Sequence, residues 1–118
     1  YKRQDKLFIS YSASATDENY CMGLLWIDLD ANPLAPQNWH KSPEPVFKTS
    51  YENRQYGPGH NSFTQTPEGE DVLVYHARNY TEIEGDPLYD PNRHTRLKTI
   101  RWQENGMPDF GIPAADNQ

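Results

Sequence analysis

No stretch of this 118-residue chain repeats apolar residues at the three-to-four-residue spacing that a packed helix needs. Its apolar and aromatic residues instead come in short runs at residues 7–13, 21–27, 60–65, 71–78 and 94–102, a length and composition that favour strands. Ten prolines and seven glycines punctuate them. Residues 28–33, the Gly57-Pro58-Gly59 triplet, Pro67-Glu68-Gly69-Glu70 and Asn105-Gly106 read as turns. Residues 45–48 read as a short edge strand, because the proline that opens them cannot donate to a ladder. Residues 38–40 read as a loop folded back over the sheet, and residues 79–92 as one long polar loop with Asp-Pro at Asp86-Pro87 and Asp90-Pro91. The expectation is an all-β chain of about six short strands, with the turn spacing of sandwiches, barrels and propellers.

Internal similarity narrows that choice. A shift of 64 lays Phe8-Ile9-Ser10-Tyr11-Ser12-Ala13 over Val72-Leu73-Val74-Tyr75-His76-Ala77, and a shift of 76 lays Leu24-Leu25-Trp26 over Ile100-Arg101-Trp102. Two units of about sixty residues, each a strand pair ending in Trp, point to consecutive blades of a propeller. The extra length in the second unit falls in its long loop.

Seventeen acidic residues against eleven Lys plus Arg give a net charge of −6. With no Lys/Arg cluster, the chain lacks the basic surface that binding to a phosphate backbone requires, so neither nucleic acid nor an anionic membrane is an expected partner. A mean hydropathy of −0.99 leaves no run near the roughly 18 apolar residues of a spanning helix. The aromatic content, 13%, is too high for disorder. One cysteine, Cys21, makes no internal disulfide and no Cys-based zinc site. No signal peptide is expected within these residues, and the compartment stays open. Asn79-Tyr80-Thr81 is a formal glycosylation sequon of little weight.

The common catalytic signatures, namely a nucleophile elbow, a His-Glu-x-x-His zinc motif and the glycine-rich phosphate loops, are not found. The four histidines, His40, His60, His76 and His94, are too widely spaced for a local metal pair. The acidic stretch 82–90 lacks the EF-hand ligand order and reads as a solvated loop. His60 follows the glycine turn, which sets it at the mouth of a strand. A packed turn histidine fits there equally well. His76 reads as a satisfied, half-buried strand histidine. Arg93 opens a strand at a rim, where its planar fork suits a carboxylate, although an ordinary surface ion pair is the commoner outcome. Many Tyr and Trp rings beside Asn and Gln suit sugar stacking, and core packing explains them as well.

The motifs Tyr56-Gly57-Pro58-Gly59-His60-Asn61-Ser62-Phe63-Thr64, Asp71-Val72-Leu73-Val74-Tyr75-His76-Ala77-Arg78 and Gly85-Asp86-Pro87-Leu88-Tyr89-Asp90-Pro91-Asn92-Arg93-His94 closely resemble the C-terminal part of glycoside hydrolase family 43. The segment Ser10-Tyr11-Ser12-Ala13-Ser14-Ala15-Thr16-Asp17, with Tyr20-Cys21-Met22-Gly23-Leu24, resembles the preceding blade in the α-L-arabinofuranosidase branch. The resemblance implies a five-bladed β-propeller. Residues 1–55 would form the fourth blade, and residues 56–118 most of the fifth.

It further implies an inverting hydrolase acting on arabinose-containing plant polysaccharides or oligosaccharides. Its Asp base, second Asp and Glu acid would lie upstream of Tyr1, so the isolated chain would be inactive and would depend on the remaining blades. Matched by position, His60 corresponds to a histidine near the propeller axis that contacts a structural calcium or other central cation, or its water shell, beneath the sugar. Arg93, nine residues before Trp102, corresponds to an arginine beside the base and the deepest sugar subsite. Thr16 and Tyr20 fall in a loop bordering the pocket. No cofactor is expected for the chemistry itself. A non-catalytic carbohydrate-binding β module and a β-xylosidase of the same family are the alternative readings.

Overall fold

The computed structural model describes residues 1–116, and among them every regular element is a strand or a single 3-10 turn. Strands β1 (Lys2–Arg3), β2 (Lys6–Ala13), β3 (Cys21–Asp28) and β4 (His40–Lys41) form one antiparallel sheet in that order. A second antiparallel sheet holds β5 (Tyr56–Gln65), β6 (Asp71–Arg78) and β7 (His94–Thr99), and β8 (Arg101–Trp102) pairs with β9 (Pro108–Asp109). The all-β expectation holds. Residues 36–38 and 87–89 make the two 3-10 turns.

Strand β1 is absent from the sequence reading because only two residues of it pair. Gln4 (φ 56°) and Asp5 (φ 64°) turn it directly into β2, the two positive angles that a two-residue hairpin needs to match strand twist. The β2–β3 ladder is unbroken from Lys6↔Asp28 to Ala13↔Cys21.

Three expectations change. Gly57-Pro58-Gly59 is not a turn before a strand but the bulged opening of β5. Pairing runs Tyr56↔Arg78, Gly59↔His76 and Ser62↔Val74, so β5 twice uses three residues where β6 uses two. Residues 45–48 supply one isolated bridge, Met22↔Phe47, and not an edge strand. Phe47 is only 1% exposed and plugs the core edge-on against Tyr75. The run 94–102 is two strands: the ladder to β6 ends at buried Ile100, whose N–H still bonds to the Asp71 carbonyl (2.8 Å), and Arg101 and Trp102 pair with β9 instead.

That break also corrects the repeat. Phe8 faces Trp26 across β2 and β3, whereas Val72 faces Thr99 across β6 and β7. The partner that corresponds to Trp26 is therefore Thr99. Trp102 does a different job, packing against Tyr1 and Phe8.

The two sheets meet over one core. Phe8, Met22 and Leu24 come from the first, Leu73, Tyr75 and Ala77 from the second, and Phe47, Ile100 and Phe110 close it. Strand β6 is buried along most of its length because it is central in its sheet and faces this seam, which explains its near-continuous apolar run. Polar ties cross the same seam: the His60 N–H donates to Ser12 Oγ (2.8 Å), and Asn61 Nδ2 to Ser10 Oγ (2.9 Å).

Candidate functional site

The second bulge of β5 puts His60 in the left-handed region (φ 48°), which turns its exposed side chain away from the ladder. His76 lies opposite Gly59 on β6, and the two imidazole rings meet edge to face with centroids 6.1 Å apart. Tyr20, from the loop joining β2 to β3, stacks on His76 at 5.7 Å and 4°. Gly59 has to be glycine here, since a Cβ would lie 2.4 Å from Tyr20 Cε2. Gly57 is held to the same requirement twice, by φ +63° and by the Asp17 carbonyl 2.4 Å from the place a Cβ would take.

Burial between these rings pushes the His76 imidazole down to about 4, and the positive charge of Arg93, with His60 and Arg78, adds to the effect. His76 is therefore neutral near pH 7. Both of its ring nitrogens are buried with no hydrogen-bond partner among the described residues. The satisfied strand histidine expected from the sequence is thus an unsatisfied one at the centre of the cluster.

Arg93 is half-buried and donates from Nη2 to the Leu88 carbonyl (3.0 Å). Thr16 joins through its main chain: its carbonyl accepts from Arg78 Nη1 at 2.6 Å. Arg78, at the end of β6, also donates from Nη2 to the Pro87 carbonyl (2.6 Å), and its Nε lies 3.4 Å from Asp90 Oδ1. The four residues singled out from the sequence, His60, Arg93, Thr16 and Tyr20, thus assemble around two that were not, His76 and Arg78. The Gly59↔His76 pairing was the missing signal, and it depends on bulges that no periodicity reveals.

The two aspartates of the long loop are occupied in shaping it. Asp86 Oδ1 accepts from the Leu88 N–H (2.9 Å), and Asp90 accepts from Tyr80 Oη (2.6 and 2.8 Å) and the Asn92 N–H (3.0 Å). The cation implied at His60 is a poor fit to calcium by direct ligation, because calcium takes oxygen donors and this cluster offers imidazoles. Among the described residues no three His, Cys, Asp or Glu side chains converge on one point. The exposed His60 can offer a ring nitrogen to a water or a hydroxyl, and Arg93 a guanidinium to an anion.

Comparison with known proteins places this arrangement. Residues 1–108 match the family Glycosyl hydrolases family 43. The chain is 58% identical over 112 residues, 94% of its length, to an extracellular exo-alpha-(1->5)-L-arabinofuranosidase of Streptomyces avermitilis, covering 23% of that protein. It is 53% identical over 116 residues, 98% of its length, to alpha-L-arabinofuranosidase 43 of Humicola insolens, covering 24% of it. The whole chain superposes on 37% of the crystal structure of an alpha-L-arabinofuranosidase from Lactobacillus brevis with a TM-score of 0.96 and 53% identity. The chain thus spans about a quarter of the length of the curated relatives it matches.

Proposed function

The chain belongs to glycosyl hydrolases family 43, and from that premise we propose that it is the C-terminal portion of the catalytic propeller of an α-L-arabinofuranosidase. Its parent releases L-arabinofuranose from arabinose-containing plant polysaccharides or oligosaccharides with inversion at the anomeric carbon. The match of the whole chain to the Lactobacillus brevis arabinofuranosidase, at an identity well above what shared fold alone requires, is the observation that carries this reading. An extracellular setting follows the description of the Streptomyces relative.

In this reading the sheet β1–β4 is the fourth of five blades, within residues 1–55, and the sheet β5–β7 belongs to the fifth, within residues 56–118. The acid and base stand on the other blades. An inverting pair sits roughly 6.5–9.5 Å apart to admit a water. This chain supplies one wall of the site: Arg93 stabilises the ionised base by its charge. His60 offers its ring to a hydroxyl, or to the water shell of an axial cation. Tyr20 and the Thr16 loop border the sugar. The acid–base cycle then needs no cofactor.

Hydrolysis of 4-nitrophenyl α-L-arabinofuranoside by the full-length parent, beside this chain alone, tests the proposal. The expected result is release of nitrophenol by the parent and none by the chain. Activity in the isolated chain would show that its own carboxylates do the chemistry, and an inert parent would overturn the substrate class.

A further inference from the structure

Arg78 is 2% exposed, and a guanidinium taken that far out of water is tolerated only when its donors are met. Its partners lie on both loops of the candidate site. Nη1 holds the Thr16 carbonyl, one residue before Asp17, whose own carbonyl accepts from the Tyr20 N–H (3.1 Å). Nη2 holds the Pro87 carbonyl, one residue before Leu88, whose carbonyl accepts from Arg93. Nε faces Asp90, which Tyr80 and Asn92 fix in place. Each loop is therefore gripped within a few residues of a side chain assigned to the site.

We propose that Arg78 is the positioning residue of this site, a single buried guanidinium that clamps loop 14–20 to loop 79–92 and so sets Tyr20 and Arg93 in place. The proposal rests on the reading that Tyr20 and Arg93 border the sugar. Arg78 is too deeply buried to meet substrate itself and acts through those two. The job demands arginine because donors on three separate nitrogens in one plane reach acceptors on separate segments, whereas the three donors of a lysine all radiate from one nitrogen.

The test uses the full-length parent with Arg78→Lys and Arg78→Ala. Kinetics on 4-nitrophenyl α-L-arabinofuranoside are read beside circular dichroism and amide hydrogen exchange. For Arg78→Lys the expected result is a folded protein whose kcat falls about 10- to 100-fold, the scale of a displacement of roughly 1 Å in a reacting group, with KM changed less. Exchange should speed up in both loops together, and added guanidinium should restore part of the Arg78→Ala activity. A lysine variant with wild-type kcat, or faster exchange in one loop only, would overturn the clamp.

If neither variant folds, Asp90→Asn keeps the planar shape of the carboxylate and weakens the grip at Nε together with the bonds from Tyr80 and Asn92. Loosening of both loops then supports the proposal, and loosening of loop 79–92 alone overturns it. An inert wild-type parent would count against the proposed function, whereas hydrogen exchange judges the clamp without any substrate.

Discussion

The ring of Tyr20 lies 5.7 Å from that of His76 and within 4° of parallel, joining a loop of the first sheet to the central strand of the second. Gly59 makes the contact geometrically feasible, since any side chain there would occupy the space of the tyrosine ring. Gly59→Ala should therefore destabilise the parent by about 1–3 kcal/mol, the usual range for overpacking. Tyr20→Ala in the same molecule should recover part of that loss. Urea unfolding of the two single variants and the double variant measures the coupling, and strictly additive effects would rule out the clash as the cause.

His76 has a folded-state value of about 4 against an ordinary 6.5, so between those two values the unfolded chain binds the proton that the folded one refuses. Stability should be unaffected above pH 6.5 and should fall as the pH drops from 6.5 toward 4, by at most about 3 kcal/mol. Replacing the ring with a non-titrating one, His76→Phe, should flatten that part of the stability–pH curve. An unchanged slope in the variant would assign the titration to another group.

Asp71 shifts stability in the same direction, in a lower window and from the opposite cause: its charged form is held, where His76 is kept neutral. Burial raises its value, but hydrogen bonds from Arg3, Gln65 and Trp102 outweigh that and hold the carboxyl at about 2, below its ordinary 3.8. The resulting stability is complete above pH 3.8 and is lost as the pH falls toward 2, amounting to about 2 kcal/mol at most because Arg3 is partly exposed. Asp71→Asn should remove this dependence and loosen Trp102, whose indole N–H donates to the carboxylate at 2.9 Å. Tryptophan fluorescence during acid titration reports both effects.

Arg93→Ala should lower kcat of the parent about tenfold or more while leaving its melting temperature within a few degrees, since Arg93 is only half-buried and its one described hydrogen bond is to a loop carbonyl. Near-normal turnover by purified protein would remove Arg93 from the site.

Leu73 is fully buried where the two sheets meet, so Leu73→Ala should cost about 2–5 kcal/mol. The loss should show in the denaturation midpoint of the parent, with KM unchanged in the folded fraction. A loss below 1 kcal/mol would mean that the seam carries little of the stability.

Local chemistry made much of this fold legible. Strands β2, β3 and β6 stand where their runs of β-branched and aromatic residues put them, and proline, glycine and Asx residues mark the turns between them. The long motifs around His60, His76 and Arg93 carried enough similarity to indicate the family before any contact was known. Other features escaped because nothing local encodes them. Residues 57–59 have the composition of a turn and become a bulge only because β6 is there to pair with them. Trp26 and Trp102 align as letters, yet the register of the ladders makes Thr99 the counterpart of Trp26 and leaves Trp102 beyond the sheet, in β8.

From the sequence by itself came the strand content, the acidic balance and the family, all properties of composition, short-range pattern and motif. Only the tertiary structure decided that His76 stands neutral in the cluster with no hydrogen-bond partner among the described residues, and that Arg78 bonds to both loops. Thr16 and Arg78 are 62 positions apart along the chain yet joined by a 2.6 Å hydrogen bond, a contact that exists only after two sheets have packed face to face and excluded water from between them.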